Sequence, residues 1–216
     1  MTANAAVMQV AMVPWARYNE TDPFLFADGD TAPYVGYVDL RTCVVGGFDF
    51  DPETIKWWSE RGFSAKEAVV KGKPEAIDDV LIGMLNYIRR LREKYELTSI
   101  CIWCQGMDFD IAILRNLCRK YGVELEEDIP HTSFRDCRTV ILEAALTEAR
   151  RTLRGESVRG VGVGLPEQIM EKPSLAYELC IPLPEQYAAG SEAHDALYDA
   201  RRSSWNTWQA LKWLDE

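Results

Sequence analysis

The stretch LTSICIWCQGMDFDIAILRNLCRKYG (97–122) decides the fold. Its first eight residues are a short apolar run of strand length, bounded by a Gln–Gly turn. From Asp108 the apolar positions recur at helical spacing until Gly122, a residue suited to ending a helix. Strand, tight turn and helix in that order make the repeating unit of an α/β domain. In open α/β sheets, ligands gather beyond the carboxyl ends of the strands. Asp108 and Asp110 therefore open their helix where a site is expected. Asp108 reads as a helix cap. Asp110 lies between Phe109 and Ile111, inside the apolar pattern, so capping does not explain it.

Working outward, NAAVMQVAMV (4–13) is apolar on both alternating faces and reads as a strand buried on both sides. YVGYVDL (34–40) is a second strand. DPETIKWWSER (51–61) begins a helix with Asp51 as cap, Pro52 in the first position and Glu53 in the first turn. A longer helix over about 75–95 carries Ile77, Leu81, Met84, Leu85, Ile88 and Leu91 three and four apart. SFRDCRTVI (133–141) starts extended and feeds a helix over about 140–153. A final helix spans 191–214, with Ser191 as its cap. Antiparallel strands first and β/α alternation later give one α/β domain over 1–216 with a mixed sheet. Residues 17–33 and 155–190 read as loops or insertions, the latter with room for one short helix.

Composition narrows the function. No apolar run approaches the roughly 20 residues that span a bilayer, and MTANAAVMQV has no basic n-region of a signal peptide. Six cysteines without the dense spacing of a disulfide framework point to reduced thiols and a cytoplasmic location. The net charge of −10 opposes non-specific binding along nucleic acid, which needs many Lys/Arg–phosphate contacts. A small site where bound cations supply the positive charge is compatible with it.

Two further stretches carry chemistry. AHDALYDA (193–200) holds one of only two histidines, with acids beside it. Asp195 and Asp199 are four apart and share a helix face. His194 beside carboxylates suits proton transfer at its ordinary pKa of ~6.5. The same residues also read as plain helix-start polar groups. FRDCRT (134–139) puts Asp136 and Arg138 near a strand end, where a structural Asp–backbone or Asp–Arg contact accounts for them as well as chemistry does.

Taken in order, these stretches resemble the DEDD-type (DnaQ-like) 3′–5′ exonuclease superfamily, in its small bacterial and phage exoribonuclease branch. WCQGMDFDIAIL is similar to the branch's Trp–x–x–Gly–x–x–Phe–Asp motif, which makes Asp110 a metal ligand. HDALYDA is similar to its His–x4–Asp motif, which makes His194 the general base and Asp199 a metal ligand. The resemblance implies an RNase H-like (ribonuclease H superfamily) mixed sheet flanked by helices. It further implies hydrolysis of phosphodiesters at the 3′ end of single-stranded RNA or DNA, release of nucleoside monophosphates, two Mg²⁺ or Mn²⁺ ions, and a homodimer. Asp195, Asp108 and Arg138 are lesser site candidates.

The branch's opening strand bears an Asp–x–Glu pair, and none precedes Asn4 here. Four carboxylates balance two divalent cations, and Asp110 with Asp199 supply half of that charge. In the family sheet the missing strand is central, between the strands at 4–13 and 97–104. The expectation is an N-terminally truncated, inactive chain, with an in-frame Asp–x–Glu upstream. The alternative is a non-catalytic nucleic-acid or nucleotide-binding module on the same fold.

Other signals carry less. Cys101-x-x-Cys104 has half a zinc spacing without its second half, and reads as buried core. Trp205, Trp208 and Leu211 form a core stripe, and Trp57 and Trp58 read as helix packing. Arg150, Arg151, Arg154 and Arg159 form a basic patch, read as a solvated face or a phosphate grip. His131 stands in a polar loop without a visible partner.

Overall fold

A computed structural model describes residues 3–25, 31–60, 73–157, 164–188 and 195–215, excepting the side chains of residues 55 and 57–59. Strand β1 (Gln9–Met12) pairs antiparallel with β2 (Tyr34–Tyr37), from Gln9↔Tyr37 to Met12↔Tyr34. Asp39 then caps a short helix α1 (Leu40–Val45), its carboxylate accepting from the Arg41 N–H at 3.0 Å. Helix α2 (Pro52–Glu60) starts where its chemistry predicts. Asp51 accepts from the Thr54 N–H at 3.1 Å and its hydroxyl at 2.6 Å.

Helix α3 (Ile77–Lys94) buries Ile77, Leu81, Met84, Leu85 and Ile88, the stripe its spacing dictates. Asp78 and Asp79 in its first turn and Arg92 and Lys94 in its last complement the helix dipole. Strand β3 (Ile102–Cys104) leads through one wide π-type turn (Met107–Ile111) into α4 (Ala112–Lys120) and a single turn, α5 (Leu125–Asp128). Arg89 grips the buried Asp128 with two hydrogen bonds of 2.9 and 2.6 Å, tying α3 to α5. Strand β4 (Phe134–Asp136) runs parallel to β3 and passes directly into α6 (Cys137–Leu153).

Residues 164–188 are more ordered than a loop reading predicts. They form α7 (Pro166–Glu171), a 3₁₀ segment (Pro173–Leu179) and α8 (Glu185–Ala188), and bury Ile169, Ala176 and Leu179 against α6. The long α9 (Ala196–Asp215) closes the structure. Its Trp205 and Trp208 are buried with Phe24, as the stripe predicts, and Trp213 joins the α6 cluster.

The two pairs of strands remain separate two-stranded sheets. β1 and β3 both lie against α9, and the Trp15 and Trp103 rings approach to 6.0 Å, yet no described strand joins them. Val38 donates to the Met8 carbonyl at 2.9 Å, so Met8, Val10 and Met12 turn their backbone groups to β2. The intervening Gln9 and Ala11 turn theirs to the open edge, where no backbone partner meets them among the described residues. This corrects the expectation of a long strand buried on both sides. The strand covers four residues, all half-buried, and its second edge meets no backbone partner among the described residues.

Candidate active site

Because β3 and β4 are parallel and Cys104 pairs with Asp136, their carboxyl ends reach the same side of the sheet. There the chain turns on Gly106, at φ +119°, a conformation that favours glycine. The Gly106 carbonyl accepts from both Phe109 N–H and Asp110 N–H at 3.0 Å. Asp136 holds the turn from the neighbouring strand. One carboxylate oxygen accepts from the Arg138 N–H at 2.8 Å and caps α6. The other accepts from the Met107 N–H at 3.3 Å. Asp136 thus has the structural role that its sequence context allowed.

Asp110 sits in this corner. Its residue surface reaches solvent, but crowding around the carboxylate is enough for desolvation to raise its pKa above the ordinary value. The Arg138 guanidinium and the Gln105 backbone work the other way, and the nearby Asp136 charge adds to the rise. Burial, followed by the Asp110 charge, pushes the adjacent Cys104 thiol up to about 12, so this cysteine is neutral and unreactive at neutral pH.

A desolvated carboxylate with a raised pKa destabilises the fold at neutral pH. Its contribution is favourable below the unfolded pKa and is lost as pH rises through the folded one. Asp110→Asn is therefore expected to raise Tm at pH 7 in divalent-free buffer. Solvent at the exposed rim limits the gain to about 1 kcal/mol, a few degrees at this chain length. The gain shrinks toward pH 4, and a melting series across pH 4–8 checks it. A fall in Tm at pH 7 would contradict the desolvation.

Helix α9 (Ala196–Asp215) is anchored at its start to β1 and further along to the end of β3. Asp195 caps it, accepting from Leu197 N–H at 2.9 Å and Tyr198 N–H at 3.3 Å. The described helix therefore begins at Ala196 with Asp195 as its cap, and the expected Ser191 cap lies outside the described residues. The side chain of Gln9, at the head of β1, completes the joint. It accepts from the Ala196 N–H at 3.1 Å and donates to Asp195 at 3.3 Å. Asp199 follows one turn later on the face shared with Asp195 and Ser203. Ser203 donates to the Gln105 side-chain oxygen at 3.1 Å, and the Gln105 amide donates to the Tyr177 hydroxyl at 3.3 Å. The face of α9 that carries Asp199 is thereby tied to the end of β3 that carries Gln105 and Gly106.

The structure thus gathers Asp110, Asp136 and Arg138, and Ser203 of α9 meets Gln105 beside them. His194, Ser191 and Arg159 lie outside the described residues. Asp108 is exposed and does not cap, since the turn is capped at Gly106 without any side-chain bond. Cys101 is exposed, not core. His131 is exposed in a short 3₁₀ turn (His131–Ser133). Arg151 donates to the Trp213 carbonyl at 3.2 Å and Arg154 pairs with Glu156 at 2.8 Å, which spends part of the basic patch on local contacts. Gln9, Gln105, Tyr177 and Ser203 were not singled out from sequence. Gln105, between a strand end and a glycine turn, carried a positional signal; the others carried none.

Among the described residues, no three His, Cys, Asp or Glu side chains come together as a metal site. Asp110 and Asp199 have the right oxygen chemistry for a hard divalent ion, but these residues alone do not make a two-metal centre. No described helix is long and apolar enough to cross a membrane.

The arrangement defines a mixed α/β protein whose acids stand at the carboxyl ends of two parallel strands, where such sheets bind ligands. Residues 3–159 match the Rv2179c-like 3′–5′ exoribonuclease domain, and the chain belongs to that family. The match takes in Asp110, Asp136 and Arg138 and stops short of Asp195 and Asp199. No curated protein and no solved structure matches the chain.

Proposed function

We propose that this chain is a DEDD-type 3′–5′ exoribonuclease on an RNase H-like fold. It removes nucleoside monophosphates one at a time from the free 3′ end of single-stranded RNA. The observation that carries the reading is the corner formed by Asp110, Asp136 and Arg138 at the ends of β3 and β4, in a member of an exoribonuclease family. Asp110 and Asp199 hold divalent metal, and His194 accepts the proton of the attacking water. Bound Mg²⁺ or Mn²⁺ supplies the charge neutralisation that phosphodiester hydrolysis requires.

The remaining acids come from a further strand seated between β1 and β3. The outward backbone groups of Gln9 and Ala11, which meet no described backbone partner, favour this. Such a strand, bearing Asp–x–Glu, pairs both open edges and doubles the carboxylate charge.

The direct assay uses an RNA oligonucleotide labelled at its 5′ end. Stepwise shortening from the 3′ end that needs Mg²⁺ or Mn²⁺ is the expected result. The second reading is a binding module without catalysis, and the absence of a three-ligand cluster among the described residues favours it. A chain that binds the oligonucleotide and never shortens it, with Mn²⁺ present, is that module.

A further inference from the structure

We propose that Arg138 is the phosphate-gripping residue of this site, its guanidinium binding the non-bridging oxygens of the 3′-terminal phosphodiester. The inference rests on the exoribonuclease reading and adds to it a substrate contact.

The argument begins with what Arg138 does not do. Several other arginines next to acids pair with them. Arg89 holds Asp128 at 2.6 Å, Arg41 holds Asp39 at 2.5 Å and Arg154 holds Glu156 at 2.8 Å. Arg138 has Asp110 and Asp136 for neighbours, and its charge acts on the Asp110 carboxyl. Yet its guanidinium forms no ion pair or hydrogen bond with either among the described residues. Only its backbone N–H is engaged, by Asp136. The side chain is exposed, so nothing forces that separation.

The guanidinium does have a seat. It lies over Gly106, where an added Cβ would come within 3.1 Å of Nη1 and 3.4 Å of Cζ. The glycine that the positive φ already favours also leaves room for the planar group. The Arg138 charge also acts on the Tyr177 hydroxyl, which the Gln105 amide meets at 3.3 Å. The fork thus lies over Gly106 with its donors unspent among the described residues.

An anionic strand entering this corner of a chain of net charge −10 needs local compensation. Arg138 is the cation placed at the acids, and a planar fork of N–H donors matches two phosphate oxygens at once. A lysine at the same point would supply charge without the fork.

The test is a two-by-two comparison of binding at low ionic strength in divalent-free buffer. Wild type and Arg138→Gln are each measured by fluorescence anisotropy against two RNA oligonucleotides. One has a natural 3′-terminal phosphodiester, the other an uncharged methylphosphonate at that single linkage. Wild type is expected to prefer the natural oligonucleotide about tenfold or more, as a charge-assisted hydrogen bond predicts. Arg138→Gln is expected to bind it about tenfold more weakly and to lose the preference. Arg138→Lys is expected to fall between. A purely structural role would weaken both oligonucleotides equally. An undiminished preference in Arg138→Gln, or equal weakening, overturns the assignment of Arg138 and leaves the exoribonuclease reading standing. Failure of wild type to bind either oligonucleotide overturns both.

Discussion

His194→Ala, in a form of the protein that trims RNA, is expected to slow the chemical step by about 10²–10⁴, the usual contribution of a positioned general base. The chain offers one base of suitable pKa in the His–x4–Asp stretch. Asp195, the neighbouring alternative, is committed to α9. Its carboxylate accepts from Leu197, Tyr198 and Gln9 and is spent as a cap. An imidazole base also sets a pH profile. The rate should climb as pH rises through the range in which an imidazole gives up its proton. His194→Ala should flatten that limb as well as lower the plateau. Single-turnover rates between pH 5.5 and 8.5 separate the two effects. Near-normal turnover in the variant, with the limb intact, removes His194 from the mechanism.

What could be read from the sequence was local. Asp51 with Pro52 and Glu53 predicted the start of α2 because capping uses neighbouring residues only. The α3 stripe and the buried Trp205 and Trp208 followed from helical spacing. What escaped depended on distant partners. Ser191 and Asp195 are both good caps. The choice of Asp195 is reinforced by Gln9, 186 residues away. Residues 34–40 read as one strand, but Asp39 caps a helix that takes over at Leu40. NAAVMQVAMV has the pattern of a fully buried strand, and only the neighbours of β1 could reveal that one edge is open. Asp110 stood out in the sequence by its position inside an apolar helix pattern, and the structure places it in the corner beside Asp136 and Arg138. The turn that aims Asp110 was not legible, because it depends on a carboxylate from the next strand.

That carboxylate is the basis of the second large effect. Asp136→Ala is expected to cost about 2–4 kcal/mol. Loss of the α6 cap removes about 1 kcal/mol. The Met107 N–H, left without its acceptor, adds about 1–3 kcal/mol if water does not reach it. At this length that is a fall in Tm of roughly 5–15 °C. Asp136→Asn divides the two contributions. An amide has one oxygen, so it can keep the Arg138 N–H bond or the Met107 N–H bond but not both. It should recover about half of the lost stability. The consequence for the site differs from that for the fold. In both variants the turn that carries Asp110 loses its tether whenever the Met107 bond is the one given up, so turnover should fall further than substrate affinity. If Asp136 were only a helix cap, asparagine would restore stability and turnover together, because asparagine caps as well as aspartate. Melting curves and a kcat-against-KM comparison of the two variants decide between a cap and a brace shared by α6 and the Asp110 turn.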